Sequence, residues 1–197
     1  HLTALYRAIA QVSGKNIVVD SSKIPSYAYM LEKIPDIDLR TVHLLRDSRA
    51  VAYSKCRKKL DPSCTIGVNY LLRESLITSA LTWNITNWLL SVRPPGSKSV
   101  FLRYEDFSVN PAEALEAISK IVESTSLNRQ TAVNHAEVTH MCHTVSGNPI
   151  RFSKHAEIEP DIEWAAKMPV HHRAFVTLLT LPFLLKNGYS LNRRELH

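Results

Sequence analysis

Glycine is scarce in this chain: five in 197 residues, at positions 14, 67, 96, 147 and 188. No two of them lie close enough to form a glycine-rich loop whose backbone N–H groups could cradle a phosphate. Cysteine is scarcer still. Cys56, Cys64 and Cys142 have neither the density of a disulfide scaffold nor the spacing of zinc ligands, which argues against a stapled mini-domain and against a structural zinc site. They read as buried or free thiols, with a Cys56–Cys64 bridge open in an oxidising lumen. No apolar run reaches the roughly 18 residues that a membrane-spanning helix requires. Residues 1–20 also lack the basic start, apolar middle and small-residue end of a signal peptide. Internal repeats, low-complexity tracts and a convincing domain boundary are missing.

What is present is ordinary for a globular domain, with 45% hydrophobic and 21% charged residues, and a single domain over 1–197 is expected. The formal net charge of +6 favours an anionic partner. Basic residues concentrate at Arg46, Arg49, Lys55, Arg57, Lys58 and Lys59. That cluster is short and lacks a run of interleaved aromatic residues, so it suits a compact anion better than a nucleic-acid backbone.

Leu2, Leu5, Tyr6, Ile9 and Val12 recur at helical spacing before Gly14, which predicts a helix over 2–12. Asn16–Asp20 and Thr41–Leu45 are short, apolar and rich in β-branched residues, and both read as buried parallel strands. A short helix over 26–34, closed by Pro35, would join them into a βαβ unit. Asp47 stands at an N-cap position and predicts a helix over 48–60. Asp61–Cys64 reads as a turn, 67–92 as a long helix, Ser99–Leu102 as a third strand, and Pro111–Val122 as a helix. Residues 139–157 read as loop, and a further helix is expected over 171–186. This alternation gives an α/β fold with a parallel sheet flanked by helices.

Ligands of such sheets bind beyond the carboxyl ends of the strands, where Arg46 stands. Its planar fork suits a bidentate pair with phosphate, and Ser54, two turns into the next helix, can add a hydroxyl. The plain alternative is an Arg46 paired with a surface acid and a tolerated helical serine.

An arginine at a strand end, an aspartate cap and a serine eight positions after the arginine resemble the 3′-phosphate motif of sulfotransferases that use 3′-phosphoadenosine 5′-phosphosulfate (PAPS). Further stretches follow in that family's order: Val19–Lys23, Trp83 and Asn87, Leu102–Phe107, His143–Arg151, Trp164 and Asn187–Tyr189. The resemblance runs from about residue 15 to 190. It implies a P-loop-NTPase-like fold, PAPS as co-substrate and no metal. It also implies that Arg46 and Ser54 hold the 3′-phosphate, that Tyr104 contacts adenine, and that Asn148 and Arg151 close over the nucleotide.

Lys23 falls where the family faces the sulfuryl group, and its charge would answer the same electrostatic demand as in phosphoryl transfer. Asp20 is a candidate base, His143 a second, and a residue outside this sequence a third. The other histidines, among them His43 and the His171–His172 pair, read as satisfied core or surface residues. Asn84-Ile85-Thr86 matches a glycosylation acceptor but falls inside a predicted helix.

The family's loop for the 5′-phosphosulfate is not found here, so the expectation is a central and C-terminal part lacking the first strand and loop, inactive alone. The acceptor would be a small-molecule, lipid or carbohydrate hydroxyl, or an amine. Nucleic acid is not expected as a partner. The compartment stays open: cytoplasm for a bacterial protein, Golgi lumen for a eukaryotic one. A P-loop kinase or nucleotide hydrolase shares the architecture and remains an alternative, as does a non-enzymatic anion-binding module.

Overall fold

The computed structural model describes residues 1–58, 60, 70–93, 97–122, 136–137, 155–156, 160 and 162–191. The turn expected at 61–64, most of the loop at 139–157, and Cys64, Cys142 and His143 lie outside the described residues. Helix α1 spans Leu2–Ser13 and ends where Gly14 turns left-handed at φ 65°, a conformation that costs glycine nothing. Helix α2 covers Pro25–Glu32, with proline pre-setting φ in its first turn.

Strand β1 (Arg40–Leu45) and strand β2 (Lys98–Arg103) form a two-stranded parallel sheet, in register from Arg40 opposite Lys98 to Leu45 opposite Arg103. Parallel neighbours need a crossover, and α3 (Ser48–Cys56) and α4 (Leu76–Ser91) supply it. Beyond β2 come α5 (Tyr104–Val109) and α6 (Pro111–Val122). The two-residue strands β3 (Ala136–Glu137) and β4 (His155–Ala156) pair antiparallel. Helices α7 (Glu163–Lys167) and α8 (Val170–Lys186) follow. The chain is thus α/β with a small parallel sheet and helices. Among the described residues no helix is long and apolar enough to cross a membrane.

Three expectations are corrected. Residues 16–20 form no strand: Ile17 and Val19 are 54% and 89% exposed, and the Asp20 carboxylate accepts the Ser22 N–H at 2.8 Å, turning the chain. A β-branched run becomes a strand only when a neighbour completes its ladder, and no described strand lies against this one. The expected βαβ unit over 16–45 is therefore not formed. The long helix expected over 67–92 begins, among the described residues, at Leu76, because the Ser75 side chain accepts the Thr78 N–H at 3.0 Å and caps it there. Leu71 and Leu72 precede that cap and lie outside the helix. The helix after Asp47 likewise ends at Cys56, short of residue 60.

The core has two parts. Ala50 and Ala52 of α3 pack with Trp164, Ala165, Met168 and Val176, while Leu45 packs with Trp83, Leu184 and Tyr189. Val176, Thr180 and Leu184, four apart, are the fully buried face of α8. Pro182 lies inside that helix, which runs on to Lys186, and Asn84 of α4 donates to the Leu179 carbonyl at 2.8 Å. That inward role occupies the amide of the glycosylation triplet.

Candidate functional site

The chain leaves β1 at Leu45, and the next residues are fixed from three directions. The Trp83 indole N–H donates to the Arg46 carbonyl at 2.8 Å. The Asp47 N–H donates to Glu105 Oε1 at 3.0 Å. The Asp47 carboxylate then accepts the Arg49 N–H at 2.8 Å, capping α3, and also takes the Arg49 guanidinium at 2.6 Å. Both side chains of that ion pair are only 2% exposed. A pair so buried survives only when its remaining donors are satisfied. Arg49 Nη2 accordingly donates to the Ser190 carbonyl at 2.8 Å, and the guanidinium lies 4.7 Å from the Trp164 ring centre.

Arg46 itself is half-buried, with its guanidinium carbon 5.2 Å from the centre of the Tyr104 ring. Burial pushes its pKa down, while Tyr104 and Glu105 act the other way. An arginine starts so high that it stays a cation regardless. Arg57 lies near enough for its charge to act on Arg46. Ser54 is half-buried on α3, one turn beyond the fully buried Ala50. Arg46 and Tyr104, far apart in sequence, are therefore brought together, at the end of the sheet that the strand pattern indicated.

Glu105 links these parts. Its second oxygen accepts the Tyr189 hydroxyl at 2.9 Å, so one carboxylate spans the start of α5, the end of β1 and the segment after α8. Burial first, then the Glu105 charge, drive the Tyr189 pKa far upward, which keeps the phenol a donor. Arg103, at the end of β2, lies 4.4 Å from the Tyr189 ring centre and donates to the Gly188 carbonyl at 3.3 Å.

Asp20 and Lys23 stand elsewhere in an exposed turn. Asp20 accepts the Tyr6 hydroxyl and both the N–H and hydroxyl of Ser22. The Ser22 hydroxyl, followed by Tyr6, holds its carboxyl below the usual range. None of those bonds reaches the Arg46 group. Lys23 has φ 63° and is the one non-glycine residue in the left-handed region among those described. Asn148 and Arg151 lie outside the described residues.

On one face of the sheet a cavity of about 240 Å³ is lined by Thr41, His43, Asn87, Arg93, Phe101 and Lys186, among others, and not by Arg46, Ser54 or Tyr104. The Asn87 amide donates to the Trp83 carbonyl at 2.7 Å, so its oxygen is left to accept the His43 Nε2–H at 2.8 Å. His43 is thus a satisfied histidine, and burial lowers its pKa. Among the described residues no three histidines, cysteines or acids converge as metal ligands.

Sequence reasoning missed the bridging role of Glu105, the burial of Arg49 and the contact of Tyr189 with both strand ends. The only local signal was the Asp47-Ser48-Arg49 spacing, which lets one carboxylate serve a backbone N–H and a guanidinium two residues on. No protein-family model matches the chain, and no curated protein or solved structure matches it significantly.

Proposed function

We propose that this chain is the nucleotide-binding part of a sulfotransferase that draws on PAPS. The observation that carries the reading is the Arg46 guanidinium, held at the carboxyl end of β1 beside the Tyr104 ring. A cation of forked geometry next to an aromatic face suits a ligand that carries both a phosphate and a base. The stretches quoted for the resemblance also meet in space: Trp83 on Arg46, Trp164 on Arg49, Tyr189 on Glu105.

In this reading Arg46 and Ser54 hold the 3′-phosphate and Tyr104 the adenine, with Asn148 and Arg151 closing over them within a P-loop-NTPase-like fold. The acceptor hydroxyl, from a small molecule, lipid or carbohydrate, gives up its proton to a base, His143 or a residue outside this sequence, and its oxygen attacks sulfur as the bond from sulfur to the 5′-phosphate oxygen breaks. 3′-Phosphoadenosine 5′-phosphate leaves with that electron pair. Lys23 offsets the charge gathering on the bridging oxygen. Asp20, already accepting three hydrogen bonds, is a weak base, so its part is to hold the turn that carries Lys23.

Calorimetry with 3′-phosphoadenosine 5′-phosphate and with AMP tests the assignment. The first should bind far more tightly, and Arg46→Ala should remove about 1.5–3 kcal/mol of that preference, the worth of a charge-assisted hydrogen bond. Equal affinities in the wild type would sink the assignment. Preferential binding of magnesium ATP would move it to the kinase class.

A further inference from the structure

We propose that the cavity lined by β1, β2, α4 and α8 binds a small organic carboxylate with an apolar body, at a site separate from Arg46. Two polar groups in its lining carry the inference. The Arg93 side chain is 7% exposed; its Nη2 donates to Glu32 Oε1 at 2.9 Å, while its Nη1 is buried with no hydrogen-bond partner among the described residues. Thr41, on the same cavity, has its Oγ1 buried and equally without a partner there. Buried donors of native proteins are nearly always satisfied, so two orphans on one cavity point to a ligand that brings the acceptor. The neighbouring polar groups are already engaged: His43 with Asn87, the Ser91 hydroxyl with the Trp88 carbonyl, and the Asn187 amide with the Phe183 carbonyl.

Charge and shape select the ligand. Arg93 and Lys186 bring two positive charges to the lining, and Glu32, which also accepts the Ser97 hydroxyl at 2.5 Å, offsets one of them. A monoanion balances the remainder, whereas a phosphate dianion exceeds it. The guanidinium edge also suits a carboxylate oxygen. Leu45, Leu90, Val100, Phe101 and Phe183 give the cavity apolar walls. A cavity of about 150 Å³ with such walls takes up benzene. The 240 Å³ here accommodates a ring together with its carboxylate. Thr41 lies near the start of β1 and Arg46 just past its end, and Arg46, Ser54 and Tyr104 do not line the cavity. The site therefore stands whatever Arg46 holds.

Benzoate is the probe, benzyl alcohol its uncharged counterpart and inorganic phosphate the dianion, each titrated by calorimetry into the whole chain at pH 8. Benzoate should bind saturably, and the other two at least tenfold more weakly. The His43 ring-proton signal, identified as the one missing from His43→Gln, should move along the same titration, because His43 lines the cavity. Thr41→Val removes a hydroxyl that has no partner, so it should fold as well as wild type yet weaken benzoate several-fold. Lys186→Gln, at an exposed position, should do the same. Arg93→Lys should weaken benzoate most, and if it does not fold the other two variants decide. No saturable benzoate binding, an unmoved His43 signal, or wild-type affinity in both Thr41→Val and Lys186→Gln overturns the site. Benzyl alcohol or phosphate binding as tightly as benzoate overturns the ligand class. None of these outcomes touches the nucleotide reading, which is tested at Arg46.

Discussion

The indole N–H of Trp83 donates to the carbonyl oxygen of Arg46 across 2.8 Å, tying the middle of α4 to the first residue beyond β1. Trp83→Phe keeps a ring but leaves that carbonyl without its donor. Stability should fall by about 1–3 kcal/mol, the cost of orphaning a part-buried acceptor, read as a lower urea midpoint at unchanged slope. On the proposed nucleotide reading, binding of 3′-phosphoadenosine 5′-phosphate should weaken too, because the backbone that aims Arg46 is loosened.

The Asp47–Arg49 pair makes a sharper stability prediction. Asp47→Asn removes the charge facing an arginine that is 2% exposed, and losing one member of a buried pair costs about 3–5 kcal/mol. Asp47→Asn should therefore bring the chain close to unfolding. Lys98→Ala removes an ion pair that is largely exposed and should move the midpoint far less. Comparable losses from the two substitutions would show that Asp47 and Arg49 are solvated in solution.

Much of the frame was legible in the sequence because its signals are local. Gly14, Asp47 and Pro111 mark helix ends through their own backbone preferences, and β1 and β2 show as short apolar runs. The errors came where local chemistry does not decide. Residues 16–20 have strand composition but lack a partner ladder, and Leu71–Leu72 continue an apolar pattern that the Ser75 cap interrupts. At the site, the position of Arg46 was readable from the strand that precedes it. The meetings of Glu105 with Asp47 and Tyr189 were not, since a polar residue reveals its partner only after the fold brings distant segments together.

His43 predicts a pH dependence. Burial, only partly offset by the Asn87 hydrogen bond, lowers its folded pKa below the unfolded value of about 6.5. Between the two values the unfolded chain binds the proton and the folded chain does not, so stability rises with pH. The contribution is complete above the unfolded value and is lost as pH falls toward the folded one. Urea midpoints at pH 5 and 7.5 should differ more in wild type than in His43→Gln, which keeps a donor for Asn87 without titrating. Asp20, Glu32, Asp38 and Glu163 are held low and lose their contributions as pH falls through their unfolded values of about 4, equally in both proteins, so the comparison of wild type with His43→Gln cancels them. Identical slopes in the two proteins would place His43 in water.

Lys23 separates backbone cost from side-chain purpose. Its φ of 63° is a conformation that a side chain raises by about 1–2 kcal/mol and that glycine adopts freely. Lys23→Gly should therefore leave the unfolding free energy unchanged or raise it by up to about 1 kcal/mol, after glycine's larger unfolded-state entropy is set against the relief. Lys23→Ala keeps the conformational cost and should not stabilise. Both remove the ammonium, so in protein that transfers sulfate each should slow single-turnover transfer of labelled sulfate much more than it weakens 3′-phosphoadenosine 5′-phosphate. A costly backbone retained at an exposed turn, where stability would favour glycine, is the physical reason to look for function in the side chain. If transfer proceeds at the wild-type rate in both variants, Lys23 has no part in the chemistry, whatever its backbone costs.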